Sequence, residues 1–145
     1  MTPPKNNTLA LVLRNPWLMS AFVFYLAMVV FGSFKFLEKS FIWTFNDKFL
    51  HFCAYMVIAF LVYVGLNLPV VMRAIYSLAV AGSLGFVDEF TQILTNRDPS
   101  FDDWLSDIAG SIFIIAILAL VHKAWQIWQM YRSGEWGIDP DEVEP

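Results

Sequence analysis

Charges are absent from long stretches of this chain and then arrive in clusters, and that alternation predicts its elements. No charge interrupts Trp17 to Phe34. A second apolar run, Phe49 to Leu66, is closed by Asn67-Leu68-Pro69; a third covers about 70–94 and a fourth about 104–125. A helix rises ~1.5 Å per residue, so a hydrocarbon core of ~30 Å needs ~20 mostly apolar residues. All four runs are predicted to meet that need. No period-2 alternation recurs at β-barrel spacing, so helices are expected. The first run is too long for a signal-peptide core and no A-x-A cleavage site follows it, so it is expected to be retained. The expected fold is an all-α membrane protein, a four-helix transmembrane bundle with short loops over residues 17–125 (spans 17–34, 49–66, 70–94 and 104–125). A cytoplasmic segment, 1–16, precedes it. An interfacial anchor and acidic tail, 126–145, follow, introduced by Trp125, Trp128 and Tyr131 with Lys123 and Arg132.

Composition agrees. Of 145 residues, 58% are hydrophobic and 15% charged, with mean hydropathy +0.57. Soluble domains sit near ~45–50% and ~25%. A soluble enzyme, a nucleic-acid binder and a disordered chain are excluded. The formal charge of −4 belongs to the tail, because Glu135, Asp139, Asp141, Glu142 and Glu144 follow the last basic residue and leave residues 1–132 at +1. A single cysteine, Cys53, excludes an intrachain disulfide and a Cys-based zinc site. Four spans would put Lys5, Arg14, Arg73, Lys123 and Arg132 on the side of the termini, against Lys35, Lys39, Lys48 and Arg97 opposite. That small excess predicts cytoplasmic termini.

Where the polar residues fall carries the chemistry. The uncharged stretch from Ala74 to Val87 is short of a full crossing at ~1.5 Å per residue, and so is that from Ile108 to Val121. Asp88, Glu89 and Asp107 are therefore drawn to the hydrocarbon boundary. The start of span two, the end of span three and the start of span four share one side, so Asp47, Lys48, His51, Asp88, Glu89, Gln92, Arg97, Asp102, Asp103 and Asp107 are expected to converge there. Helical spacing puts Asp47, Lys48, His51 and Tyr55 on one face. Gly85, Asp88, Glu89 and Gln92 form a second stripe, extended inward by Ser77 and Ala81. Asp103, Asp107, Gly110 and Ser111 form a third. Three such stripes predict a polar pocket at the extracytoplasmic interface. Plainer roles compete. Asp47 or Asn46 caps span two in that reading, and Ser100, Asp102 and Asp103 open span four; Lys48 and Arg97 contact lipid phosphates. Capping leaves Asp88, Glu89 and Gln92 unexplained, because a helix C-terminus disfavours anions.

At these residues the sequence resembles the VanZ-like family of small bacterial membrane proteins. The likeness runs from about Asn46 to Ile115, and Asp47-Lys48-x-x-His51 with Ala54-Tyr55 resembles the family's opening motif. Gly85-Phe86-Val87-Asp88-Glu89-x-x-Gln92 resembles its D-E-x-x-Q motif, and Arg97, Ser100-x-x-Asp103-Trp104 and Gly110 its third region. The family commonly has Asn where this chain has Asp107. The resemblance implies a cell-envelope protein, linked through the family's founder to low-level teicoplanin resistance.

Three functions follow as expectations. In the first, the site binds or modifies an amphiphilic envelope molecule: a lipid, a lipid-linked glycan or a glycopeptide antibiotic. Lys48 and Arg97 would hold an anionic group. In a membrane-embedded hydrolase or transferase, His51 oriented by Asp47 would serve as general base and Asp88 or Glu89 as acid. Tyr55, Gln92, Asp103 and Asp107 would line the substrate. In the second, the chain is a non-catalytic partner of another envelope protein, docking through the Ser77–Ala81–Gly85 ridge. In the third, ranked last, it is an ion-coupled transporter. Its partners are expected to be membrane lipids and that amphiphile, with homo-oligomers or an envelope protein as further candidates and no nucleic acid. No cofactor is required, although His51 with Asp88, Glu89 and Asp103 is a set that suits a divalent cation.

Overall fold

The computed structural model describes residues 14–33, 47–94 and 99–133. Within them the chain is helical throughout, as α1 (Pro16–Ser33), α2 (Asp47–Gly65), α3 (Val70–Leu94) and α4 (Phe101–Ser133), with no strand among the described residues. Arg97, Asn46, Lys35, Lys39, most of the segment 1–16 and the acidic tail lie outside the described residues.

Local chemistry sets the helix ends. Asn15 caps α1, its Oδ1 accepting from the Trp17 and Leu18 amides at 3.0 and 3.3 Å. Pro16, with no amide hydrogen to lose, occupies the first helical position. The Asn15 side chain also donates to the Gly65 carbonyl at 2.6 Å, fastening the start of α1 to the end of α2. Pro69 separates α2 from α3. Arg73 turns back across this corner, donating from Nε to the Leu68 carbonyl at 2.6 Å with its guanidinium over Tyr63.

α2 is the central helix, packing against α1, α3 and, most extensively, α4, which also lies along α3. The core runs through Ala21 and Tyr25 of α1, Tyr55, Ile58, Ala59, Val62 and Tyr63 of α2, Ala81 of α3 and Ile115 of α4. The outside is apolar as well. α3 buries only Ser77, Ala81, Gly85, Glu89 and Gln92 and turns Val71, Ile75, Phe86 and Phe90 outward. That arrangement inverts a soluble amphipathic helix and suits a hydrocarbon solvent, where exposed apolar side chains cost nothing. α2, α3 and α4 are each long and apolar enough to cross a membrane, while the apolar helix Pro16–Val30 is shorter. The protein is thus an all-α, four-helix bundle with three helices of membrane length. α4 also continues as helix beyond Trp125, through the residues expected to form an interfacial anchor.

Candidate functional site

The three polar stripes meet at one end of the bundle. α2 begins with Asp47 in its first turn, where a helix dipole favours an anion. One turn further, His51 reaches the buried face, its ring parallel to that of Tyr55 with centroids 6.5 Å apart. α4 opens in the same neighbourhood. Ser100 caps it, Oγ accepting from the Asp103 amide at 3.4 Å, and Asp102 and Asp103 form an acidic first turn. The plainer reading of these three residues is therefore realised.

Asp107, one turn deeper, is fully buried and carries the centre of the site. Its Oδ1 lies 2.9 Å from His51 Nδ1. The carboxylate that orients the imidazole thus comes from a neighbouring helix; the sequence reading assigned that part to Asp47. Oδ2 of Asp107 is buried with no hydrogen-bond partner. Ser111 donates to the Asp107 carbonyl at 2.8 Å, bracing the same turn. Close helix approach makes the pair possible. A Cβ on Gly110 would run into the Phe52 backbone, and one on Gly85 would lie 2.6 Å from Asp107 Oδ2.

α3 supplies Glu89 and Gln92, both 7% exposed. Glu89 Oε2 accepts from the Ser100 amide at 2.6 Å, and Oε1 from Gln92 Nε2 at 3.1 Å. This corrects one expectation. Glu89 does close a helix end, but that of α4 rather than its own, so the positive end of α4 offsets the unfavourable dipole of α3. Asp88, beside it, is half-buried. Lys48 is engaged at the rim, with Nζ 2.8 Å from Asp102 and 3.8 Å from Asp103. Its charge is thus shared with the chain's own acids. Tyr55 is fully buried and its hydroxyl has no partner.

One ligand-bearing atom from each of His51, Glu89 and Asp107 lies within 4.8 Å of the others, and the same holds for Asp47, His51 and Asp103. The metal set expected from sequence is therefore divided. His51 and Glu89 meet Asp107, while Asp103 sits with Asp47 and His51 nearer the rim. Chemically, a histidine oriented by a buried carboxylate can exchange a proton, and with a second carboxylate it can coordinate a cation.

Beside Glu89 lies a cleft of about 280 Å³ lined by Phe86, Glu89, Pro99, Ser100, Phe101 and Trp104. Apart from Glu89 and Ser100 its wall is apolar. Trp104 is fixed by donating from Nε1 to the Gly82 carbonyl at 3.0 Å, and its ring packs on Phe101. From sequence, Phe86 and Trp104 stand only as motif positions and Phe101 not at all, with no site role for any of the three rings. Their signal was available, since Phe101 and Trp104 are one turn apart at the opening of α4 and Phe86 is three residues before Glu89.

The Ser77–Ala81–Gly85 ridge, expected to dock a second protein, is buried within the bundle. It is spent on helix packing inside the chain. No known family, curated protein or solved structure matches this sequence. Fold and site together describe a multi-pass helical membrane protein with a buried polar and charged cluster joining three of its helices.

Proposed function

We propose that this chain is a VanZ-like cell-envelope protein of the bacterial inner membrane that holds an amphiphilic envelope molecule at the end of its helix bundle. All four helices cross in this reading, with the termini in the cytoplasm and the site at the outer face. The observation that carries it is the adjacency of the cleft walled by Phe86, Phe101 and Trp104 to Glu89 and, behind it, the buried His51–Asp107 pair. An amphiphile needs such a place: an apolar wall for its chain and buried hydrogen-bonding groups for its head. The ligand class comprises lipids, lipid-linked glycans and lipoglycopeptides, and the teicoplanin link enters only through the family resemblance. If the site also performs chemistry, His51 held by Asp107 is the base it offers.

A second reading is supported by the hydrogen bonds themselves. His51–Asp107, Glu89–Ser100 and Trp104–Gly82 each tie one helix to another, as purely adhesive polar contacts would. Native mass spectrometry of purified protein separates the two. Wild type is expected to retain a defined lipid or glycolipid, and Glu89→Gln and His51→Ala to lose it at unchanged membrane levels. Retention of the same molecule by both variants contradicts the proposal. Loss of folded protein in step with loss of the molecule supports adhesion.

A further inference from the structure

The polar end of the bundle carries far more acid than base. Among its described residues, Asp47, Asp88, Glu89, Asp102, Asp103 and Asp107 accompany one lysine, Lys48, and one imidazole, His51. Outside the described residues, Arg97 and Asp98 cancel, while Lys35, Glu38 and Lys39, which a four-span topology puts on the same side, add one positive charge. Lys48 sits at the rim with Asp102 and Asp103, so the outer acids already have a counter-ion. Among the described residues, the deeper ones, Glu89 at 7% exposure and Asp107 at 0%, have only His51 and hydrogen-bond donors. Carboxylates held away from water are costly unless fully compensated. Asp107 is not. Its Oδ2 is buried and unpartnered, in a space left by the missing side chain of Gly85.

We propose that His51, Glu89 and Asp107 form a binding site for one divalent cation of intermediate hardness, manganese(II) or zinc. Each of α2, α3 and α4 contributes one ligand, and the three atoms already lie within 4.8 Å of one another. Ligands of a single ion at ~2.0–2.2 Å stand somewhat closer than that, so small side-chain adjustments complete the site. Asp107 has an oxygen to spare. Glu89 is held in place by Ser100 and Gln92, as outer-shell donors hold a coordinating carboxylate. An imidazole beside two carboxylates suits manganese or zinc better than magnesium, which prefers oxygen ligands alone. Because Glu89 also lines the cleft, the open coordination positions face the space an anionic headgroup would enter. The inference rests on the charge and geometry of these three residues and not on the amphiphile reading.

The test uses the full chain in detergent, stripped with chelator and titrated with manganese(II) alone, read by electron paramagnetic resonance. Wild type is expected to take up one ion per chain saturably. Asp107→Asn is expected to weaken binding at least tenfold. His122→Gln, which changes the only other histidine, leaves it unchanged. Imidazole nitrogen coupling to the bound ion is expected in wild type and in His122→Gln. Absence of saturable binding, full binding by Asp107→Asn, or absence of the nitrogen coupling overturns the site. Should Asp107→Asn fail to fold, the nitrogen coupling in His122→Gln decides: present, it supports the site; absent, it refutes it. The signal read is that of the metal and no lipid is added, so its failure leaves the lipid-retention result standing, and the reverse.

Discussion

Two ion pairs join α2 to α4 one turn apart, and they occupy opposite environments. Lys48–Asp102 spans 2.8 Å with the two side chains 47% and 70% exposed; His51–Asp107 spans 2.9 Å with 10% and 0% exposed. Their lengths are nearly equal. The outer pair is screened by water and headgroups, and its charges lose little when separated. The inner pair has no such refuge, so removing one partner strands the other in a dry interior. Distance alone therefore says little about which contact matters; burial decides.

The largest effect is expected from Asp107→Ala, which leaves the imidazole without its acceptor. A loss of about 3–5 kcal/mol is expected, measured by reversible denaturation in mild detergent. Next comes Gly110→Ala. Its Cβ would meet the Phe52 backbone, not a movable side chain, so α2 and α4 must separate. Overpacking of this kind costs about 1–3 kcal/mol, and disulfide trapping between cysteines placed across the α2–α4 seam should slow accordingly. Trp104→Phe keeps an aromatic wall but removes the bond to the Gly82 carbonyl, for which about 1 kcal/mol is expected. Lys48→Ala closes the series. No resolvable change in melting temperature is expected at physiological salt, and a large one would erase the contrast between the pairs.

Much of this arrangement was legible in the sequence. Buried Ser77, Ala81, Gly85, Glu89 and Gln92 repeat the predicted stripe of α3 except for Asp88, which is half-buried, and buried Asp103, Asp107, Gly110 and Ser111 repeat that of α4. Helical periodicity specifies which residues share a face, and the shortness of the uncharged stretches brought the acids to one end. Which stripe residue meets which was not legible. The spacing of Asp47 and His51 suggests a pair within one helix, whereas the Nδ1 partner is Asp107, because helix rotation and the approach permitted by Gly85 and Gly110 are tertiary properties. Glu89 was misread for a related reason, since a helix end can be closed by a residue of another helix. The cleft was hidden because its aromatic rings look like lipid-facing side chains until Pro99 and Ser100 are placed beside Glu89.

If the inner pair serves a ligand site and is more than an adhesive, loss of the ligand can be separated from loss of the fold. The most direct measurement combines His51→Phe with Asp107→Leu, because exchanging a buried ion pair for packed apolar groups is often neutral or stabilising. The double variant is expected to be folded, with wild-type melting behaviour, and to have lost its bound amphiphile in native mass spectrometry. A folded double variant that still carries that molecule would contradict the ligand role.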